Sequence, residues 1–133
     1  MRVFVDTNIF MYAAGAMHPH KAPSIQLLTR MAGDDVESVS DAEMLQELLH
    51  RYWAIKQLDH GLVLCDQAVH TIPTILPVHV ADVLMAKQLL AQHPEIEPRD
   101  AVHAAVMLNH GITHLYSYDH HFDAIPGLTR LEP

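Results

Sequence analysis

The stretch that most limits what this chain can fold into is its first ten residues, MRVFVDTNIF, which pass from apolar strand formers straight into a carboxylate and two small polar side chains. Arg2 to Val5 reads as a short buried strand, and Thr7 and Asn8 read as a helix entrance leading to Ile9, Phe10, Met11 and Tyr12 before a stop near Gly15. A strand that hands over directly to a helix in this way belongs at the centre of an α/β sheet. Ligands of such sheets collect beyond the C-terminal ends of the strands, which is where Asp6 falls. Asp6 is therefore read as the first ligand of a metal site.

The remainder of the chain repeats the alternation. Met17 to Lys21 reads as a loop, and Pro23-Ser24 opens a helix with Ile25, Leu27, Leu28 and Met31 inward, ending at Gly33 before an Asp34-Asp35 turn. Val36 to Val39 is a second strand. The pattern Ser40-Asp41-Ala42-Glu43 resembles a capping box, with Asp41 as the N-cap and Glu43 as its reciprocal partner, and starts the longest helix, over 41–57. Its inward face is Met44, Leu45, Leu48, Leu49, Tyr52 and Trp53. A helix over 60–70 precedes a proline-punctuated strand within 71–78, which the prolines confine to a sheet edge. Val80 to Gln92 reads as amphipathic with Val80, Val83, Leu84, Leu90 and Ala91 inward. Arg99-Asp100 opens a small-residue helix that stops at His110-Gly111, a fourth strand spans 113–117, and 128–131 offers a short fifth. Strands separated by helices predict a parallel sheet with right-handed crossovers.

At 133 residues, half of them hydrophobic, the chain suffices for one domain, 1–133. No stretch approaches the roughly 18 apolar residues of a membrane span, and no signal-like segment leads the chain, so a soluble cytoplasmic protein is expected. Sixteen acidic residues against eight basic ones argue against a broad positive surface for nucleic acid. They do not exclude an enzyme whose carboxylates hold cations, because bound cations reverse the local field seen by a phosphate. The single cysteine, Cys65, sits in an apolar helical run and reads as a small core residue.

With strand one central, Asp6 and Asp119 end neighbouring strands at the point where the connections reverse; Asp100 opens the helix before strand four, and Glu47 lies two turns into the helix after strand two. Carboxylates brought together raise one another's pKa unless cations are present. An all-oxygen set suits Mg²⁺ or Mn²⁺, and the chemistry that follows is phosphodiester hydrolysis by activated water.

Four segments carry a family resemblance: VFVDTN at 3–8, QELLHRY at 46–52, PRDAVHAAVM at 98–107 and LYSYDHHF at 115–122. Together they resemble the PIN domain family over essentially the whole chain, most of all the VapC-type toxins of prokaryotic toxin–antitoxin pairs. The resemblance implies a three-layer α/β/α sandwich with a parallel sheet of four to five strands in the order 3-2-1-4-5. It also implies a Mg²⁺- or Mn²⁺-dependent endoribonuclease acting on RNA, homodimeric and silenced by a small antitoxin. Position by position it makes Asp6, Glu47, Asp100 and Asp119 the metal-binding and catalytic acids, with Thr7, Asn8 and Ser117 beside them. Asp123, four residues after Asp119, is an alternative source of the last charge, and Arg99, next to Asp100, is a candidate contact for the RNA backbone.

Competing readings attach to the same residues. Asp100 also suits a helix N-terminus by its charge, and Glu47 also suits a solvated helix face. Of the twelve histidines, none has zinc-site spacing with a third ligand, and His103, one turn after Asp100, reads as a packing or hydrogen-bonding residue at the same cleft. Tyr52, Trp53, Tyr116 and Tyr118 are candidate stacking residues for bases, or core. Arg51, Lys56 and Arg130 join Arg99 as candidate phosphate contacts. The functional competitors are a metal-independent ribonuclease using histidines and a catalytically inert PIN-fold interaction module.

Overall fold

The computed structural model describes residues 1–33 and 36–133; the expected turn at Asp34-Asp35 lies outside them. Its elements, in order, are β1 (Arg2–Val5), α1 (Thr7–Ala14), α2 (Lys21–Met31), β2 (Glu37–Asp41), α3 (Ala42–Ala54), α4 (Leu58–Thr71), β3 (Thr74–Leu76), α5 (Val80–Gln92), α6 (Pro98–Asn109), β4 (His114–Tyr116), a 3-10 turn (His120–Ala124) and β5 (Thr129–Leu131). The five strands are all parallel and lie in the order β3-β2-β1-β4-β5. No helix among the described residues is long and apolar enough to cross a membrane.

The central position of β1 follows from its side chains. Successive residues of a strand point to opposite faces, and in β1 both faces are apolar. Phe4 enters one core with Val39, Leu89, Ala101, Ala104, Ala105, Met107 and Leu115, while Val5 enters the other with Ile9, Phe10, Leu27, Met44, Leu48 and Leu64. The first core lies under α5 and α6, and the second under α1 to α4. The small residues of α6 let it approach both the sheet and α5, and Ala101, Ala104 and Ala105 are all fully buried.

Several boundaries differ from those expected. Helix α2 starts at Lys21, two residues before Pro23, because proline is tolerated anywhere in a first turn, where its missing N–H has no partner to lose. Ile25 is then exposed, and Leu27 and Met31 carry the burial. Strand β2 is displaced to Glu37–Asp41, and α3 is shorter than the 14-residue α4. On α3 the inward set is Met44, Leu48 and Tyr52, whereas Leu49 and Trp53 face outward. The edge strand β3 is only Thr74–Leu76, between Pro73 and Pro77.

The largest correction concerns α5. Val80, Val83 and Leu84 are exposed, at 76%, 50% and 55%, and the face turned inward is Asp82, Ala86 and Leu89. Apolar residues surround this helix, so periodicity leaves its rotation open. A polar anchor sets the rotation instead. The Asp82 carboxylate accepts 2.8 Å hydrogen bonds from the His79 backbone N–H and from Asn109 Nδ2 on α6. Burial would raise its pKa, but these bonds hold it below the ordinary aspartate value.

Candidate active site

Three acids of the expected site, Asp6, Asp100 and Asp119, sit where a strand ends or a helix begins, and Glu47 is buried in the second turn of α3. Strand β1 pairs with β4 in the register Val5↔Tyr116, which sets Asp6 beside Ser117. The Asp6 N–H closes the ladder on the Tyr116 carbonyl at 3.1 Å. Its carboxylate caps α1, Oδ1 accepting from the Thr7 N–H at 2.7 Å, while Oδ2 accepts from Ser117 Oγ at 2.6 Å. Asn8 Nδ2 donates to the same Ser117 hydroxyl at 3.2 Å, and Ser117 Oγ accepts from the Asp119 N–H at 3.0 Å. One hydroxyl thus ties together the ends of the two central strands.

Asp100 lies in the first turn of α6, after Pro98 at the helix start, and is buried. Oxygens of Asp6 and Asp100 and a ring nitrogen of His103 all come within 4.8 Å of one another. The Asp100 and Asp119 carboxyls lie close enough to hydrogen-bond to each other when one of them holds a proton. That proton belongs to Asp100, whose pKa is pushed up to about 9 by burial, by Asp119 and by Asp6. In Asp119 burial acts upward, but the Asp100 bond and the His121 N–H bring its pKa below the ordinary value.

His103 is the hydrogen-bonding residue expected at the cleft, and its partners are the acids themselves. It is fully buried, with Nδ1 2.8 Å from Asp41 Oδ2 and Nε2 2.5 Å from Glu47 Oε1; Nε2 also lies 3.6 Å from Asp6 Oδ1. Burial alone would lower its pKa, yet Asp41, Glu47 and Asp6 together raise it well above the ordinary histidine value. The ring is therefore an imidazolium held among three carboxylates. It orients Glu47, and both nitrogens are occupied by carboxylates.

Asp41 does more than cap α3. One oxygen accepts from the Met44 N–H at 3.0 Å, and the other holds His103. The reciprocal contact of a capping box, from Glu43, is not formed. Glu43 is instead half-buried beside Glu47, and burial together with that like charge raises its pKa. The signal that reveals Asp41 is the one that revealed Asp6, an acid as the last residue of a buried strand. Ending β2 at Val39 conceals it.

The other expected residues divide. Thr7 is buried, with Oγ1 3.4 Å from His103 Nε2. Arg99 is exposed beside Glu97 and lines a cleft together with Asn8 and Glu47. Asp123 is not brought to the cluster. It is about half exposed and paired with Arg130, whose Nε lies 3.0 Å from Oδ1, because the 3-10 turn after Asp119 carries it outward. Arg130 is occupied by Asp123, Glu132 and the Ser117 carbonyl rather than free for phosphate.

The cluster has five carboxylates, Asp6, Asp41, Glu47, Asp100 and Asp119, against one imidazolium. Among the described residues no lysine or arginine forms an ion pair with any of them. Burial, offset only in part by His103 and Ser117, raises Asp6 to about 6. A raised pKa in two neighbouring buried acids marks a site short of positive charge. Hard oxygen donors in such surroundings fit a divalent cation such as Mg²⁺ or Mn²⁺. The cleft beside them, about 890 Å³ in volume, runs between the end of α1 and the α3–α4 connection.

Comparison with known proteins agrees with this geometry. The PIN domain model matches residues 3–128. The chain is 41% identical over 129 residues to Ribonuclease VapC13 of Mycobacterium tuberculosis, covering 97% of this chain and 98% of that protein. Among solved structures it resembles Mycobacterium tuberculosis VapC20, described as a Sarcin-Ricin loop cleaving toxin, with TM-score 0.80, 20% identity and coverage of 98% and 99%. It also resembles a chain of a toxin–antitoxin complex from Klebsiella pneumoniae, with TM-score 0.67, 16% identity and coverage of 96% and 95%. A parallel sheet in the order 3-2-1-4-5, with acids at the ends of its central strands and a near-full-length ribonuclease relative, places this chain in the PIN domain family, among the VapC ribonucleases.

Proposed function

We propose that this protein is a metal-dependent endoribonuclease that hydrolyses RNA phosphodiester bonds, and that it is the toxin of a toxin–antitoxin pair acting in the cytoplasm. The observation that carries the reading is the meeting of buried Asp6, Glu47 and Asp100 with half-buried Asp119, from four separate segments, at one place that is short of positive charge. Its kinship with VapC13 supports ribonuclease activity, and its likeness to a chain of a toxin–antitoxin complex supports the partner.

In this reading Asp6, Asp100 and Asp119 hold Mg²⁺ or Mn²⁺, with Glu47 contributing directly or through water. Bound there, the cation would supply Lewis-acid stabilisation of the phosphate and lower the pKa of the attacking water. Ser117 and Asn8 fix the Asp6 carboxylate, so its free lone pairs face the cluster rather than rotating. His103 holds Glu47 in the same way and screens it from Asp6 and Asp41. Asp100 must lose its proton when the cation binds. Arg99, on the cleft wall, is placed to meet the RNA backbone.

Exposed Trp53, Ile55 and Leu58 at the α3–α4 connection beside the cleft support docking of an antitoxin, and exposed Val80, Val83 and Leu84 on α5 support a homodimer. The histidine-based reading gains nothing from His103, because both ring nitrogens are bound to carboxylates.

The test uses purified, partner-free protein on a panel of RNAs. Cleavage with Mg²⁺ or Mn²⁺, loss in EDTA, 5′-phosphate and 3′-hydroxyl ends, and loss in Asp6→Asn and Asp100→Asn are expected. Cleavage that survives EDTA and leaves cyclic phosphate would establish the histidine mechanism instead, and absence of both cleavage and metal binding would leave the inert module.

A further inference from the structure

Next to the acid cluster stands a group of four aromatic rings that neither core contains in full. Tyr12, from the last turn of α1, lies 4.7 Å from His18 and 5.0 Å from His20, both in the connection to α2, and 5.2 Å from Tyr118, which follows β4. His20 and Tyr118 are stacked, with centroids 3.7 Å apart and planes 11° from parallel, and His18 lies 4.8 Å from His20. Tyr12 and His18 line the cleft that Asn8 and Glu47 also line. His18 is exposed, and the other three rings are half-buried.

The cluster is joined to the acids by short links. Asn8 Oδ1 accepts from the Tyr118 N–H at 3.5 Å, and Asn8 Nδ2 donates to Ser117, the residue that holds Asp6. Tyr118 lies between Ser117 and Asp119 in the chain. Tyr118, with His20 stacked on it, is therefore held relative to the acids, and Tyr12 is carried by α1, the helix that Asp6 caps.

We propose that Tyr12, His18, His20 and Tyr118 form a stacking platform for one unpaired nucleobase of the RNA next to the scissile phosphate. This rests on the ribonuclease reading above. With a net charge of −8 the protein repels a polyanion overall, so its grip on RNA needs a contribution that does not depend on phosphate charge. Stacking supplies one, because every base offers a π face whatever its identity. Bases within a duplex are already stacked on one another, so the platform selects nucleotides that are unpaired. The histidines suit the position, since their rings offer flat π faces, and His18 is oriented at the cleft by the bond its Nδ1 accepts from the His20 N–H at 3.0 Å. Arg51 and Arg99, which line the same cleft, are placed to take the backbone phosphates.

The test is equilibrium binding, read by fluorescence anisotropy, of a short unstructured labelled RNA to Asp100→Asn protein in Mg²⁺, so that binding is separated from cutting. The RNA is scanned with single abasic nucleotides. At one position, removal of the base is expected to weaken binding by about 5- to 150-fold, the range of one base–aromatic stack. His18→Ala and Tyr12→Leu are expected to weaken the intact RNA and to erase the abasic effect, whereas Tyr12→Phe keeps both. His18 is exposed, so its variant answers even where the Tyr12 change disturbs folding. A flat abasic scan, or an abasic effect that persists in His18→Ala, overturns the platform. An abasic effect that disappears in the variants, in a protein whose wild type cuts no RNA, upholds the platform and counts against the ribonuclease reading.

Discussion

Replacing His103 by leucine removes the one positive charge inside the acid cluster and leaves Asp41 with a single hydrogen bond, from the Met44 N–H, at a site with no solvent exposure. Breaking a buried ion pair by deleting one partner costs about 3–5 kcal/mol, because the remaining charge stays uncompensated. In a chain of this size roughly 4 °C of melting temperature is lost per kcal/mol, so the midpoint should fall by about 12–20 °C. Asp41→Asn keeps an oxygen acceptor for the α3 cap while neutralising the charge. Combined with His103→Leu it should therefore recover part of the loss, with a coupling of about 1–3 kcal/mol between the two sites. Urea unfolding of the four proteins in chelator at pH 7, with m-values compared, measures this coupling. A His103→Leu protein within about 1 kcal/mol of wild type, or a double variant whose loss is the plain sum, would refute an imidazolium held by Asp41.

The metal-free protein should lose stability as pH rises. Asp6 and Asp100 have folded pKa values raised to about 6 and about 9, so each contribution declines from near pH 4 up to those values, and the raised His103 contribution, complete below about 6.5, is lost above it. The increase in melting temperature produced by Mn²⁺ should accordingly be larger at pH 8.5 than at pH 6, and an equal increase at both would rule out a cation held by these acids. Asp100→Asn should change metal-free stability at pH 7 by no more than about 1 kcal/mol, since a protonated acid and an amide are close in shape and charge, yet abolish the Mn²⁺ effect in the same thermal assay. Gly61→Ala should be destabilised by about 1–2 kcal/mol in urea titration, since its Cβ would stand 2.6 Å from Tyr52 Cβ between α3 and α4, and a gain in stability from helix propensity alone would refute that close approach.

The strand-to-helix alternation was legible because each element carries a local signal. Pro98 starts α6, Gly111 ends its region at φ 67°, and the buried run of β1 identifies the central strand. Helix rotation was less legible wherever hydrophobicity surrounds the helix. Helix α5 turns on Asp82 and its bond to Asn109, a contact between residues 27 apart that no window of local periodicity contains. On α3 the helix turns Met44, Leu48 and Tyr52 inward, Tyr52 against Gly61 of α4, which leaves Leu49 and Trp53 on the outer side.

In the site, capping a helix and belonging to the acid cluster are roles that the same carboxylates fill together. Asp6 caps α1, Asp41 caps α3, Asp119 caps the 3-10 turn, and Asp100 stands in the first turn of α6. A helix N-terminus stabilises a carboxylate by its unpaired N–H groups and its dipole, so a parallel sheet that starts helices just beyond its strand ends can gather several acids at one point at reduced cost. Capping alone does not neutralise them, as the raised values of Asp6 and Asp100 show. One deficit is met within the chain by His103, which bridges Asp41 and Glu47 from the first turn and a half of α6. The other, centred on Asp6, Asp100 and Asp119, is met only in part by His103, 3.6 Å from Asp6 Oδ1, and no lysine or arginine among the described residues pairs with it. The fold therefore separates acids bridged by a fixed side-chain charge from Asp6 and Asp100, whose pKa values stay raised, and in the function proposed above the cation belongs on the Asp6–Asp100–Asp119 side of His103.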